Sequence, residues 1–334
     1  MVCPNGDGGG EEAVARRVVL LGGKALAIQC LDSMLRMPDI AVVAVIACAD
    51  DDPAAGRWYP SLAGYGRERG IPVYQPKSVN EDGFLSVLQQ LRPHVLLSVF
   101  YDKILKPRVL RVPAVAAVNM HFGLLPYNQG SFPIPWAIID GNDPGVTLHH
   151  MDPGVDTGDI IAQMAVPASD NETAREIYDR CTAAGLDLFE RYLPLLLEGR
   201  APRRRQPAKG GTYYRPGYPF NRRIDWSQST QTVCRFVRAL TFPPFPSART
   251  AFRGRELELC HPVRPAQEGG RWREGTVVSI SPPWVTVATG DGFLSVRTMR
   301  LEGEERAAAD VLRQAGCSAH DVLDTAPWVK GEAA

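Results

Sequence analysis

Residues 118–163 read VNMHFGLLPYNQGSFPIPWAIIDGNDPGVTLHHMDPGVDTGDIIAQ. Three short apolar runs here have strand character: Ala116–Asn119, Val146–Met151 and Ile160–Val166. Asn119 and His121 stand two apart at the end of the first run, so they share one face of a strand. An apolar loop, Phe122–Pro126, follows at once and holds His121 at the rim where the strand stops. Open parallel sheets carry their ligand crevice at that rim. Asp156 lies in Gly154-Val-Asp-Thr-Gly158, between glycines that let the backbone turn sharply, on a loop bordering the same edge.

Toward the N-terminus the pattern alternates. Val18-Val-Leu-Leu-Gly22 reads as a strand closed by Gly22-Gly23, and Ala25–Met37 has apolar residues at helical spacing. A strand at Ile40–Ala47, a helix near Leu62–Arg69, a strand at Ile71–Tyr74, a helix near Asp82–Leu91 and a strand over His94–Phe100 follow. Such alternation predicts an α/β fold, a Rossmann-like, mostly parallel sheet with helices on both faces. A long helix from Thr173 to Leu197 closes this part.

Composition changes after Gly199. Arg203-Arg-Arg205, Lys209-Gly-Gly211 and Arg215-Pro-Gly217 form a basic, breaker-rich stretch that reads as a linker. Beyond it come a helix over Thr230–Leu240 and short strands at Leu257–Cys260, Gly275–Ser279, Trp284–Ala288 and Leu294–Met299. Their spacing predicts a smaller C-terminal β-barrel, OB-like, domain. The expected organisation is a leader over 1–15, a catalytic domain over 16–200, a linker over 201–219 and a barrel over 220–330.

Lys and Arg total 37, as do Asp and Glu, so the formal charge is zero. The balance is uneven along the chain. Residues 1–200 hold 17 basic against 24 acidic side chains, and residues 201–334 hold 20 against 13. A basic second half suits an acidic partner or a solvated face, and the solvated face is the simpler reading. Seven scattered cysteines, with no C-x-x-C pair, argue for free thiols and a cytoplasmic protein without a membrane segment. Gly22-Gly-Lys24 matches neither G-x-G-x-x-G nor the P-loop pattern, so its glycines are expected to serve a tight turn. Trp136 reads as helix packing. His149 and His150 are adjacent and face opposite ways, so at most one can line the cleft, and neither reads as a metal ligand.

An amide, an imidazole and a carboxylate converging on one crevice make a coherent acyl-transfer site. The carboxylate can orient the imidazole and raise its pKa, the imidazole can take a proton from a nucleophile, and the amide can steady an oxyanion. No Ser or Cys stands in an elbow motif, so direct attack by an acceptor amine suits the inventory.

Asn119-x-His121, with Leu124-Leu-Pro126, Gly130, Gly145-Val-Thr147 and Asp156-Thr-Gly158, resembles the signature of the 10-formyltetrahydrofolate-dependent formyltransferase family. The resemblance runs on through Phe100-Tyr101-x-x-Ile104-Leu105, Ile224-Asp-Trp226, Phe236-Val-Arg238-Ala239 and Phe245-Pro-x-Ala248. It implies that Asn119, His121 and Asp156 are catalytic and that 10-formyltetrahydrofolate, with no metal, is the co-substrate. It also implies a folate site of Phe100, Tyr101, Ile104, Leu125, Ser131, Asp152, Pro153, Gly154 and Val155. Two departures concern acceptor choice: Gly123 stands where many members have serine, and Gln129 where many have arginine.

Three functions compete. The favoured one is formyl transfer to a small-molecule amine, on an amino sugar nucleotide or an amino-acid-derived precursor. The others are a methionyl-tRNA formyltransferase and an inactive folate- or nucleotide-binding module. The intact site residues argue against the inactive module. The acidic start of the loop Ala49–Arg57 argues against an RNA backbone, whereas the basic stretch 203–273 favours one.

Overall fold

A computed structural model describes residues 15–52, 54, 57–207 and 209–328. The expected leader therefore lies, up to residue 14, outside the described residues. Two compact units divide the chain: residues 1–119 with 189–201, and residues 120–188 with 202–334.

The first unit is built on parallel strands. β1 (Arg16–Gly22) pairs with β2 (Ile40–Ala47) and β4 (Val95–Val99), and β2 pairs with β3 (Val73–Tyr74), all parallel. The sheet runs β3-β2-β1-β4-β5, and β5 (Ala116–His121) begins in this unit and ends in the next. Val18, Val19, Leu20 and Leu21 are fully buried, as a strand covered on both faces must be. The connecting helices are α1 (Lys24–Leu35), α2 (Leu62–Glu68), α3 (Asp82–Leu91) and the short α4 (Pro107–Leu110). α1 turns Leu26, Ala27, Cys30, Leu31 and Met34 inward, the apolar stripe read from the sequence.

Gly22 fixes how β1 ends. Its φ is +151°, and a Cβ placed there would lie 1.8 Å from the Val99 carbonyl oxygen. With that closeness allowed, Gly23 N–H donates to the same oxygen at 3.1 Å. Lys24 (φ 63°) and Phe100 (φ 58°) both take the left-handed region just past these strand ends. The glycine pair thus makes the tight turn expected of it.

In the second unit the sheet continues β5-β7-β8, with β7 (Gly145–His150) and β8 (Ile160–Ala165) antiparallel. The sheet is therefore mixed. Residues 151–159 contain no helix, and a parallel return needs a crossover of a dozen or more residues. A two-stranded piece pairs β6 (Gln129–Gly130) with β9 (Tyr213–Tyr214), so part of the 201–219 stretch is tied to the loop after β5. Between β6 and β7 stands α5 (Pro133–Asp140). Its Trp136 stacks on Tyr214 at 4.0 Å and is 7% exposed, a packing residue as expected. α6 (Ala174–Leu197) starts with Thr173 and Glu176 exchanging bonds, Thr173 N–H to Glu176 at 2.7 Å and Glu176 N–H to Thr173 Oγ1 at 3.4 Å.

The C-terminal domain is an antiparallel, barrel-like sheet ordered β10-β11-β14-β13-β12, with β15 on β14. Its strands are β10 (Ala248–Phe252), β11 (Arg255–Ala266), β12 (Val277–Ser281), β13 (Trp284–Ala288), β14 (Phe293–Leu301) and β15 (Glu304–Ala307). α7 (Thr230–Ala239), whose N-cap Ser229 accepts from Thr232 N–H, leads in, and α8 (Ala308–Ala315) follows. Among the described residues no helix is long and apolar enough to cross a membrane.

Gly22→Ala should lower the stability of the protein by about 3 kcal/mol or more, since both φ and space forbid a Cβ. Urea denaturation checks this; an unchanged midpoint would mean that β1 and β4 separate there without cost.

Candidate active site

His121 ends β5 and is 7% exposed. Its ring is bounded by the next residues of its own chain. A Cβ at position 123 would stand 2.8 Å from His121 Nε2, so Gly123 leaves the room this ring position uses. That gives a physical content to the departure from serine. His121 Nε2–H donates to the Asn128 carbonyl at 2.7 Å, and Nδ1 stands 3.4 Å from Asp156 Oδ2.

The loop carrying Asn128 is fastened from β7 and β8. Thr147 Oγ1 donates to the Gly123 carbonyl at 2.6 Å and accepts from Leu125 N–H at 3.2 Å. Gln163 Nε2 donates to the Leu125 carbonyl at 2.8 Å. Farther along, Thr212 Oγ1 accepts from Asn128 N–H at 2.8 Å, which ties in the β9 segment.

Asp156 takes a left-handed backbone, φ 56°, normally left to glycine. Hydrogen bonds hold it there. Its carbonyl accepts from Gln129 Nε2 at 3.2 Å and Gln206 Nε2 at 2.8 Å, and Gln206 also reaches the Gly158 carbonyl at 2.8 Å. Gly158 is required for this closure, since a Cβ there would sit 1.9 Å from the His150 carbonyl oxygen. The carboxylate Oδ2 accepts from Gly130 N–H at 2.9 Å, and Oδ1 faces His149 Nε2 at 3.5 Å. Gln129, the second departure, thus supports the Asp156 main chain.

The structure brings His121 and Asp156 together and adds His149, which the sequence left as one of two equal neighbours. Asn119 lies on β5 two residues before His121, with the unit boundary between them. The proposed folate residues fall in both units. In the first, Phe100 is half-buried and left-handed, Ile104 is 64% exposed, and the buried Tyr101 hydroxyl has no hydrogen-bond partner among the described residues. In the second, Leu125 is buried and bonded through its main chain, and Ser131 N–H donates to the Tyr214 carbonyl at 2.9 Å. Asp152 Oδ1 shapes the next loop, accepting from Gly154 N–H at 3.0 Å and Thr157 Oγ1 at 2.6 Å. That leaves Pro153 and Gly154 exposed, with Val155 half-buried. Gln206, fifty residues from Asp156, was missed because nothing local in its sequence marks it.

Electrostatics corrects one expectation. Asp156 does favour the protonated His121 ring, but burial acts more strongly the other way, and His149 adds to it. The His121 pKa is therefore lowered below its ordinary value, which favours the neutral ring. For Asp156, burial alone would raise the carboxyl; His121, His149 and the Gly130 N–H outweigh it and bring it down to about 2.

These shifts give a signed stability prediction. Asp156 has a folded pKa below its ordinary 3.8, so its contribution is complete above about pH 4 and lost as pH falls through about 2. The loss is about 2 kcal/mol. His121 adds a slope of the same sign below its ordinary value of 6.5, because the unfolded state there binds the extra proton. Denaturation of wild type and Asp156→Asn between pH 2 and 5 should show the two curves converging toward the acid end. Curves that stay parallel would mean that the carboxylate is not specially held.

Residues 15–193 match the formyl transferase family, and residues 219–315 match the formyl transferase C-terminal domain. The chain is 32% identical over 302 residues to a methionyl-tRNA formyltransferase of Pelotomaculum thermopropionicum, covering 89% of this chain and 95% of that protein. It is 32% identical over 301 residues to the methionyl-tRNA formyltransferase of Myxococcus xanthus, covering 89% and 94%. In fold it is similar to an N-formyltransferase from Helicobacter canadensis solved with folinic acid and dTDP-3-aminofucose, with a TM-score of 0.69 at 21% identity over 85% of this chain and all of that one. It is also similar to WlaRD, a sugar 3N-formyltransferase solved with dTDP and 5-N-formyltetrahydrofolate, with a TM-score of 0.67 at 20% identity over 84% and 97%. The chain belongs to the formyl transferase family and is an enzyme that transfers formyl groups.

Proposed function

We propose that the enzyme moves the formyl group of 10-formyltetrahydrofolate to the primary amine of a small acceptor, an amino sugar nucleotide or an amino-acid-derived precursor. The observation that carries the transfer chemistry is the neutral, buried His121 beside the ionised Asp156. For the folate, the contacts assigned from the family resemblance are Phe100, Tyr101, Ile104, Leu125, Ser131, Asp152, Pro153, Gly154 and Val155. The unpartnered Tyr101 hydroxyl fits this assignment: burial raises its pKa, so it remains a proton donor in need of an acceptor. Bound there, the folate supplies an activated formyl carbon.

The remaining steps belong to the chain. His121 Nδ1 looks at Asp156, so Nε2 is the nitrogen offered to the acceptor. At rest Nε2 carries the ring proton and donates it to the Asn128 carbonyl. Taking a proton from the amine requires the other tautomer, reached by loss of the Nε2 proton to solvent and uptake of one at Nδ1, which Asp156 Oδ2 then accepts as a hydrogen bond. The Asn128 carbonyl is then released to receive an amine N–H, which helps orient the lone pair. Asn119, on the same face of β5, donates its amide N–H to the developing oxyanion; its collapse breaks the formyl C–N10 bond, and the proton taken up by His121 Nε2 passes to the departing N10.

The tRNA acceptor is the second reading, supported by the 32% identity to methionyl-tRNA formyltransferases. Charge pairing favours the small acceptor. A grip on nucleic acid uses Lys and Arg free to neutralise phosphates. In the basic second half, Arg222 and Arg300 each bond Glu258 at 2.9 Å, Arg249 bonds Glu256, Arg255 bonds Glu302 at 3.1 Å, and Arg203 bonds Asp159 at 3.2 Å. The acidic loop is less repulsive than its sequence suggests, because Asp50 pairs with Arg57 at 2.8 Å and buried Asp51 accepts from Ala63 N–H at 3.0 Å.

Incubated with 10-formyltetrahydrofolate, the purified enzyme should formylate an amine within a panel of amino sugar nucleotides, amino acids and hydroxyornithine, and leave charged initiator tRNA unformylated. Faster transfer to the tRNA would reverse the acceptor assignment. His121→Ala should lower kcat about 100-fold or more with folate affinity near wild type. Folate binding that disappears together with activity would mark the histidine as structural. Asp156→Asn should move the pH–rate profile, and a superimposable profile would remove the carboxylate from the mechanism.

A further inference from the structure

Both main-chain polar groups of Asn128 are satisfied: its N–H donates to Thr212 Oγ1 at 2.8 Å, and its carbonyl accepts His121 Nε2–H at 2.7 Å. The backbone is left-handed, φ 59°, a conformation that asparagine tolerates better than most residues. The side chain is different. Asn128 is 1% exposed, and its Oδ1 has no hydrogen-bond partner among the described residues. A buried amide oxygen without a donor is costly, and rare enough in folded proteins to call for a reason. The Tyr101 hydroxyl, in the same condition, is already assigned to the folate.

Asn128 is not sealed in a deep core. Tyr127 before it is 48% exposed, and Tyr213, on the β9 strand paired with Gln129 and Gly130, is 51% exposed. The loop therefore borders solvent, and the orphaned oxygen belongs to the residue whose carbonyl already touches the ring of the base.

Proton counting then says what kind of donor is missing. A neutral primary amine brings two N–H bonds and one lone pair. The lone pair attacks the formyl carbon, one N–H passes its proton to His121 Nε2, and the other is taken by the Asn128 carbonyl. Nothing on the nitrogen is left for Oδ1, so its donor must come from the group beside the amine. A hydroxyl on the adjacent carbon, staggered gauche to the nitrogen, presents its O–H alongside the N–H.

We propose that the Asn128 side chain selects the acceptor: Oδ1 accepts the O–H of a hydroxyl vicinal to the amine, so the preferred acceptor is an amino sugar with a free hydroxyl beside its amine. The inference deepens the small-acceptor reading and rests on it. Competing acceptors lack this donor. The amine of a methionyl ester stands one carbon from a carbonyl, which only accepts, and an ornithine-type amine stands beside a methylene.

The test is a cycle of one substitution against one missing hydroxyl. Each amino sugar nucleotide that wild type formylates in the panel above is compared with its analogue deoxygenated at the carbon beside the amine, in wild type and in Asn128→Gly. Glycine takes the left-handed backbone without strain and keeps the carbonyl while removing the amide. Wild type should prefer the hydroxylated acceptor by about 30-fold or more in kcat/KM, because the analogue leaves Oδ1 unpaired. In Asn128→Gly that preference should fall to within about threefold. A merely structural role would slow both acceptors alike and leave the ratio at its wild-type value, which would overturn the proposal. The wild-type comparison needs no variant, and a wild type indifferent to the hydroxyl refutes the proposal by itself. Turnover confined to amino acids or charged tRNA would also overturn it while leaving formyl transfer intact, whereas transfer to no amine at all would overturn both.

Discussion

A carboxylate buried between two imidazoles, on a backbone in the left-handed region, is the constraint around which this site is organised. Left to itself, the loop 151–159 would not hold Asp156 in that geometry. Gln129 and Gln206 grip its carbonyl, Gly130 N–H fixes one carboxylate oxygen, and Gly158 lets the chain pass within touching distance of His150. Five stretches of chain are fastened to one another through this residue. Strain of this kind persists only where the surroundings over-determine it, and it gathers where function needs a fixed group.

Burial gives the arrangement its chemistry. A carboxylate at 3.4 Å would ordinarily lift an imidazole pKa and leave a cation of no use as a base. Desolvation outweighs the carboxylate, so the pair combines a neutral ring with an ionised orienting group. The low dielectric that costs the ion its hydration also strengthens the orienting interaction. The loop carrying Asn128 completes the setting by accepting the His121 Nε2–H.

Much of this was legible in the sequence, where residues act locally. The apolar runs at Val18–Leu21 and Val95–Val99 announce strands buried on both faces, and β13 falls on Trp284–Ala288 as read. Asn119, His121 and Asp156 stand out by residue type and spacing. What stayed hidden depends on contacts made at a distance or on a single register step. The choice between His149 and His150 turns on a bulge that no alternation rule places. Gln206 acts on a residue fifty positions away. β6 and β9 are two residues each, too short to leave a pattern, yet they secure the loop beside His121. The antiparallel return of β8 follows from the missing helix in 151–159, which the sequence allowed but did not demand. The basic second half looked like a charged face, yet several of its arginines are paired with carboxylates of the same domain.

The proposed function assigns acceptor choice to surface charge and loops, and transfer chemistry to the buried cluster. The proposed chemistry depends most directly on the protonation state of His121. Imidazole nitrogen NMR of the free enzyme from pH 5 to 8 should find this ring neutral at pH 7 with its proton on Nε2, taking up a second proton only below its ordinary value of 6.5. A His121 imidazolium at pH 7 would contradict the account at its centre, because no base would then be available to the amine.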